Sequence, residues 1–206
     1  MGALAIVRDL VVIITAGIGS YVALAGLSTW KRQLKGQTDH ELARRILVTL
    51  YRYRDAINGV RHPAMFGNEF SEPPEDKRNA MSSAQIRFYG LANVYRKRWD
   101  RVQNQRVELD AELLEAEAIW GAELKTEIFP SVFDLEWEVQ VCVRNHLKMN
   151  DPAENAETKR VIDKIKKSKR DVLYDALEKQ GDEFSNDFAR AVGNIEKFLK
   201  PKLGRD

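Results

Sequence analysis

The sequence predicts an all-α protein in which an N-terminal transmembrane helix precedes a cytoplasmic helical bundle or hairpin with one long helix, at about residues 82–129. Three observations support this fold class. Residues 10–27 contain no charged side chain, and apolar residues recur at helical spacing through most of the remaining chain. Turn-forming residues are few, with 12 glycines and 6 prolines among 206 residues.

The uncharged stretch covers about 27 Å as an α-helix, enough to cross the hydrocarbon core of a bilayer. Trp30 follows at the position of an interfacial aromatic residue, and Lys31, Arg32 and Lys35 come next. This excess of basic residues predicts that the N-terminus lies outside and the C-terminal region lies in the cytoplasm. Two alternatives stay open: a cleaved signal peptide ending at Ala25, and a buried core helix.

One face of this predicted anchor carries only small residues: Ala16, Gly19, Ser20, Ala23 and Gly26. Gly19 and Ala23 are four residues apart, which is the spacing that lets two membrane helices approach closely. The pattern predicts a homodimer through the anchor, although small residues are also common in transmembrane helices that do not associate.

The chain divides into four predicted parts: the anchor (1–30), a juxtamembrane amphipathic helix (31–61), a loop (62–80) and a helical bundle domain (81–206). A joint is expected at Gly36 and Gln37 because Thr38 and Glu41 have the spacing of a capping box. Pro63 ends the amphipathic helix, and three further Gly or Pro residues mark the loop.

The long helix carries an apolar seam at alternating steps of three and four residues, which is typical of a helix that packs along other helices. Its members are Phe88, Ala92, Tyr95, Trp99, Val102, Leu109, Leu113, Ala116 and Trp120, interrupted only by Arg106. Residues 85–106 hold six basic side chains and one acidic one, whereas residues 107–140 hold ten acidic and one basic. We expect an antiparallel partner, either the arginine-rich helix before residue 61 or a second copy; two solvated faces are the alternative.

Three further helical segments are predicted after Pro130. Residues 131–149 fit a helical stripe but also alternate as a strand would; helix is favoured because a lone strand has nothing to pair with. A helix is expected over residues 154–180, and Asp182 caps a last helix that ends before Pro201.

Seven basic residues and two acidic ones between positions 158 and 171 form a basic cluster with a net charge of +5. A cluster of this kind suits anionic lipid or, less well here, nucleic acid, and it is also what the solvated face of a packed helix looks like. Its members are Lys159, Arg160, Lys164, Lys166, Lys167, Lys169 and Arg170.

The sequence contains no recognisable catalytic, metal-binding or cofactor motif. His40, His62 and His146 lie in separate segments, and Cys142 sits in a valine-rich stripe expected to be buried. Glu108, Glu112 and Glu115 share a helix face but are more typical of an exposed helix than of a cation site. We therefore predict no catalytic residue, metal or cofactor, with an enzyme whose site is unrecognisable as the remote alternative.

Two stretches resemble a group of bacterial proteins without an assigned activity. One is WKRQLKG at residues 30–36 followed by ELARR at 41–45; the other is DEFS at 182–185 with IEKFLKP at 195–201. The resemblance implies one N-terminal transmembrane helix, a helical cytoplasmic region and location in a bacterial inner membrane.

The function expected from these patterns is that of a membrane-tethered interaction or scaffold protein. The expected contacts are a membrane crossed once, a second copy bound through the anchor or the long helix, and an unknown protein partner. Binding of lipid or nucleic acid through the basic cluster is the alternative, and nucleic acid is the less favoured ligand because the net charge of the chain is only +2.

Overall fold

The computed structural model describes residues 2–177 and 181–204, with side chains described for residue 2, residues 14–15, 17–177 and 181–204. All regular structure in this part of the chain is helical, which confirms the predicted all-α class. The α-helices are α1 (Ala3–Arg61), α2 (Glu75–Arg78), α3 (Ser83–Trp120), α4 (Pro130–Asn150), α5 (Ala156–Ser168) and α6 (Glu183–Leu199).

Helix α1 is continuous over 59 residues, so the joint predicted at Gly36 and Gln37 is wrong. The Thr38 hydroxyl donates to the carbonyl of Leu34 at 3.0 Å, as it does inside a helix, and therefore caps nothing. A glycine inside a helix costs only about 1 kcal/mol relative to alanine, which is too little to break a helix that is favoured on both sides.

The last third of α1 belongs to the bundle and does not form a separate juxtamembrane helix. It runs antiparallel to α3: Arg98 near the start of α3 donates to the carbonyl of Val60, and the Trp120 indole at its end donates to Asp39 at 2.7 Å. Helices α4 and α6 complete the core around this pair. The α1 side chains in the core are Leu42, Ala43, Ile46, Leu50, Tyr53, Ile57 and Val60.

The predicted long helix over residues 82–129 is too long. Helix α3 ends at Trp120 because Gly121 adopts φ +88° and ψ 179°, a backbone conformation that is essentially restricted to glycine. A short π-helical turn (Leu124–Ile128) then leads to α4, with Pro130 at its first position. The preference for helix over strand in residues 131–149 is confirmed.

The helix predicted over residues 154–180 ends at Ser168, and residues 178–180 lie outside the described part of the chain. Val172 and Leu173, which fall inside the predicted helix, are buried in an irregular segment that follows α5. Helix α6 begins as predicted, with the Asp182 carboxylate accepting from the Ser185 amide at 2.7 Å. A 3₁₀ turn (Lys200–Leu203) follows its end.

Among the residues that the structure describes, no helix is long and apolar enough to cross a bilayer. Residues 10–13 and 16 of the predicted anchor lie outside the residues whose side chains are described.

Candidate interaction surfaces

Charged residues inside the bundle hold helices together. Arg106, the one interruption of the predicted seam, donates to Glu136 at 2.5 Å and lies over the ring of Phe133. The hydroxyl of Tyr53 donates to the same Glu136 carboxylate at 2.6 Å, and burial, with the negative charge of Glu136, raises the pKa of this tyrosine. The three polar groups join α1, α3 and α4 at one point.

Arg61, at the end of α1, is fully buried, and each of its guanidinium nitrogens has an acceptor. It donates to the carbonyls of Val172 and Tyr174, to the Ser185 hydroxyl and to the Asp182 carboxylate, the last at 2.5 Å. These bonds explain why the segment after α5 leaves helical geometry: its carbonyls point to Arg61 instead of to the next helical turn.

Arg98 fixes the connection between α1 and α3 in the same way. It forms two bonds with Glu69, at 2.7 and 2.9 Å, and donates to the carbonyls of His62 and Ala64. The hydrogen bonds from Arg98 lower the pKa of Glu69 to about 2. The segment over residues 62–80 is therefore anchored at its centre, where it forms a 3₁₀ turn (Gly67–Glu69).

Most of the predicted interaction seam is internal. Tyr95, Val102, Leu109 and Leu113 are buried, and Trp99 and Trp120 pack against the same core while remaining partly exposed. Phe88, at the start of the seam, lines an open groove. The seam is thus largely occupied by α1, α4 and α6 of the same chain.

The acidic half of α3 meets the arginine-rich helix, which is the intramolecular form of the expected antiparallel pairing. Arg45 of α1 donates to Glu112 at 3.0 Å and forms a second ion pair with Glu115. Two of the three carboxylates considered as a cation site are thus occupied by an arginine. Within the described residues, no group of three or more metal-ligating side chains is positioned to hold a metal ion.

The basic cluster is less free than its sequence suggests. Arg170 is bound to Glu138 and Asp187, and Lys159 donates to the carbonyl of Asp151. Lys166 forms an ion pair with Asp171 at 3.3 Å, and Lys167 forms one with Asp163 at 2.7 Å. Four members form no ion pair with a described carboxylate: Lys159, Arg160, Lys164 and Lys169.

The cluster also lies at a defined end of the bundle. The carbonyl of Val172, two residues after Arg170, accepts from Arg61 at the end of α1, and Lys159 lies beside Asp151 at the end of α4. This is the end of the bundle opposite Asp39 and Trp120. Residues 39 and 61 are about 33 Å apart along α1.

The described side chains of α1 that precede the bundle are exposed. Every side chain from residue 17 to residue 38 is exposed, including Gly19, Ser20, Ala23 and Gly26 of the predicted small-residue face. A Cβ atom added at Gly19 or Gly26 would meet no other atom within 4 Å. Ala16, the fifth residue of that face, lies outside the described side chains.

A groove between α3 and α4 combines aromatic and basic side chains in a volume of about 440 Å³. Phe88, Trp99 and Trp137 supply aromatic surface, and the indole of Trp137 is 59% exposed. Arg144 and Lys148 lie along the α4 side. This groove was not predicted from the sequence, because Trp137, Arg144 and Lys148 belong neither to the predicted seam nor to the basic cluster.

A second groove, between α4 and α5, has a volume of about 510 Å³ and contains Cys142 and His146. Cys142 is half-buried and lines this groove, so its predicted core position is only partly correct. Burial raises the pKa of the Cys142 thiol and lowers the pKa of His146. Both groups are neutral at pH 7, which is the opposite of a reactive thiolate–imidazolium pair.

Comparison of the chain with protein-family models, with curated proteins and with solved structures finds no match, so the surfaces described above carry the functional argument by themselves.

Proposed function

We propose that this chain is a membrane-tethered helical interaction protein: α1 crosses a bacterial inner membrane, and the bundle presents a binding surface for another protein in the cytoplasm. The observation that carries the proposal is the exposed apolar stretch of α1. Tyr21, Val22 and Leu24 are 74%, 61% and 69% exposed, in a part of α1 that no other described element covers. An apolar helix without protein contacts on any side requires an apolar environment.

The basic residues after this stretch support the cytoplasmic placement of the bundle. Lys31, Arg32 and Lys35 are exposed within one and a half turns of α1, directly after Trp30. Basic residues next to a membrane helix are retained on the cytoplasmic side, and tryptophan favours the interface itself. The bacterial inner membrane rests on the resemblance of the WKRQLKG and DEFS segments.

The continuity of α1 would hold the bundle away from the lipid. Trp30 and Leu42, the first fully buried residue of α1, are about 18 Å apart along the helix. The basic cluster lies at the level of Arg61, about 28 Å beyond Leu42, and this distance exceeds the screening length of about 8 Å in physiological salt. When α1 stands along the membrane normal, the cluster therefore does not reach the lipid that holds its own anchor.

The open small-residue face of α1 is the route by which two copies would associate. Gly19 and Ala23 permit close helix contact, and no described part of the chain covers them. The seam of α3 is a less suitable dimer surface because the chain's own helices occupy it. We expect cysteine crosslinking in membranes to give a dimer that Gly19→Leu abolishes.

Flotation of the full chain with neutral phosphatidylcholine vesicles tests the tether. We expect the protein to float with the vesicles and to resist alkaline extraction, whereas Val22→Glu/Leu24→Glu should leave it in the dense fractions. The matched control is Val107→Glu/Leu114→Glu, which places the same charges on two exposed apolar residues of α3. Wild-type protein that stays in the dense fractions, or that floats only with anionic lipid at low salt, would overturn the proposal.

A further inference from the structure

The groove between α3 and α4 is one of the surfaces that the packing of the bundle leaves open. It is bounded by α3 from Phe88 to Trp99 and by α4 from Trp137 to Lys148. Each of these stretches contains twelve residues and is about 16 Å long. The two helices run antiparallel, since Tyr95 of α3 and His146 of α4 have ring centroids 5.6 Å apart, whereas Arg106, later in α3, bonds to Glu136, earlier in α4.

The floor and the rim of the groove differ in chemistry. Buried Tyr95 and Val143 and half-buried Phe88 and Trp99 make the floor apolar. The rim carries one carboxylate, that of Asp151, and three cations: Arg96, Arg144 and Lys148. This combination suits a ligand that is apolar on one side and acidic at its edges.

The rim cations are available to such a ligand. Arg144 and Lys148 are exposed, and no described carboxylate lies within ion-pair distance of either. Arg96 donates to the side-chain oxygen of Asn93 at 2.8 Å, and its one ion pair with a described carboxylate is a 3.8 Å contact with Asp100, in which both side chains are more than half exposed. Asp151 is engaged locally, since its carboxylate accepts from the Ala153 amide at 2.8 Å.

Trp137 and Arg144 are the residues of the groove best suited to contribute binding energy, because tryptophan and arginine are enriched among the residues that contribute most to protein interfaces. Its indole is 59% exposed, and the guanidinium of Arg144 lies 5.8 Å from the ring centroid. A partner that covers this pair buries a large aromatic surface and neutralises a neighbouring cation at the same time.

We infer that this groove binds an acidic amphipathic helix of a partner protein, about three turns long. Apolar side chains at positions i, i+3, i+4 and i+7 of that helix would enter the groove, and flanking Asp or Glu residues would pair with Arg96, Arg144 and Lys148. The inference deepens the proposed function, because it names the surface and the chemistry of the partner that the tethered bundle would hold.

A second copy of this chain on the same membrane is a poor candidate for the occupant. The chain has an acidic helix face with exposed Val107 and Leu114, but this face lies in the half of α3 near the anchor. It is centred about twenty residues, or about 30 Å, from the groove along α3. Two copies with parallel tethers therefore present these surfaces at different heights.

The test uses the full chain in neutral detergent micelles and three labelled 14-residue helical peptides of designed sequence. The first carries a leucine stripe flanked by glutamates, the second carries the same stripe flanked by lysines, and the third is a scramble of the first. Fluorescence anisotropy with empty micelles as the blank measures binding. We expect the acidic peptide to bind about tenfold or more tightly than the other two, and less tightly as salt is raised.

Charge reversal locates the site. Arg144→Glu/Lys148→Glu should reverse the preference toward the lysine peptide, and Trp137→Ala should weaken binding of the acidic peptide about tenfold or more. The matched control, Arg160→Glu/Lys164→Glu, makes the same charge change on exposed residues of α5 and should leave the preference intact. Circular dichroism melts of the variants show that each one folds.

The inference is overturned if no peptide binds, if the two charged peptides bind equally, or if the α5 control variant changes the preference as strongly as the groove variant. Displacement of the acidic peptide by single-stranded oligothymidylate, with direct tighter binding of that strand, would assign the groove to nucleic acid and equally overturn it. If the chain floats with vesicles but fails the peptide test, only the groove assignment is overturned. If the chain passes the peptide test but does not float, only the membrane tether is overturned.

Discussion

Arg61 and Arg98 lose nearly all contact with water at the same end of the bundle, and hydrogen-bond acceptors of the protein surround both guanidinium groups. The cost of removing a guanidinium from water is offset only when its donors are satisfied and a carboxylate is near. Asp182 serves Arg61, and Glu69 serves Arg98. Together they fasten the end of α1 to the loop before α3 and to the start of α6.

Removing Arg61 should therefore be among the most destabilising single changes in the bundle. Arg61→Met leaves the Asp182 carboxylate and two carbonyls without their donor, and we expect a loss of about 3–5 kcal/mol in the free energy of unfolding. Urea unfolding followed by circular dichroism measures it. Arg52→Met, at an exposed position of the same helix, should change stability by less than about 0.5 kcal/mol; equal effects would contradict the role of Arg61.

The Arg98–Glu69 pair should make stability depend on acid pH. Because Glu69 has a pKa of about 2 in the folded chain and about 4.3 when unfolded, the unfolded chain takes up its proton first as pH falls. The pair's contribution is complete above about pH 5 and disappears as pH falls toward 2. Wild type should exceed Glu69→Gln in unfolding free energy at pH 6, and the difference should shrink by pH 3. A constant difference across this range would show that the ionised pair contributes nothing.

The sequence identified Arg106 as the one polar break in the seam, but not Arg61 or Arg98 as buried residues. Arg106 interrupts a regular apolar pattern, which makes it visible without a structure. Arg61 and Arg98 fall at positions where a surface arginine is equally ordinary, and their acceptors are 29 to 124 residues away. Burial of such residues depends on tertiary contacts that periodicity does not contain.

At the scale of single helices, continuity of α1 has the largest consequence, because it makes the link between the exposed apolar stretch and the bundle stiff. Leu24→Cys/Val48→Cys, spin-labelled in a Cys142→Ser background, should give a narrow distance distribution centred near about 36 Å. Gly36→Pro should shorten and broaden it, since proline removes one helical hydrogen bond and clashes with the preceding turn. A broad distance distribution without the Gly36→Pro substitution would contradict a continuous α1 and would support the joint that the capping-box pattern predicts.

Two glycines should respond in opposite ways to the same substitution. Gly121 ends α3 at φ +88°, where a side chain is strained, so Gly121→Ala should destabilise the chain by about 1–3 kcal/mol. Gly59 lies inside α1 with open space around it, so Gly59→Ala should stabilise the chain by about 0.5–1 kcal/mol. Thermal melts of both variants, compared with wild type, measure the two changes in stability. If both changes had the same sign, the assigned end of α3 would be wrong.

Helix type was predictable from periodicity, whereas helix ends were not. The stripes of α4 and α6 are strong enough to define those helices. The predicted limits failed at Thr38, whose hydroxyl finds a carbonyl within the helix, and at Gly121, which ends α3 nine residues before Pro130. The predicted limit after Ser168 is also wrong, because Arg61 donates hydrogen bonds to the carbonyls of Val172 and Tyr174 in the segment that follows. In each case a particular hydrogen bond or backbone angle decided the boundary.

At the scale of the whole molecule, the two ends of the bundle have different environments. Asp39 and Trp120 mark the end next to the exposed stretch of α1, whereas the end of α1, the basic cluster and the groove between α3 and α4 lie at the other end. The mean hydropathy of −0.44 does not show this separation, because it averages the apolar stretch of α1 with the charged bundle. The net charge of +2 does not show it either, because it is the sum of separate basic and acidic segments. In the proposed arrangement, this order along α1 places the basic cluster and the groove at the end of the bundle that is farther from the membrane.

The most direct test of this arrangement is the membrane depth of three positions, measured by spin-label accessibility in phosphatidylcholine vesicles. Val22→Cys, Lys35→Cys and Lys164→Cys are labelled one at a time in a Cys142→Ser background. We predict that the label at residue 22 is accessible to oxygen and shielded from a water-soluble nickel chelate, that residue 35 is intermediate, and that residue 164 is fully accessible to nickel. Equal nickel accessibility at residues 22 and 164 would contradict the tether and the orientation of the bundle together.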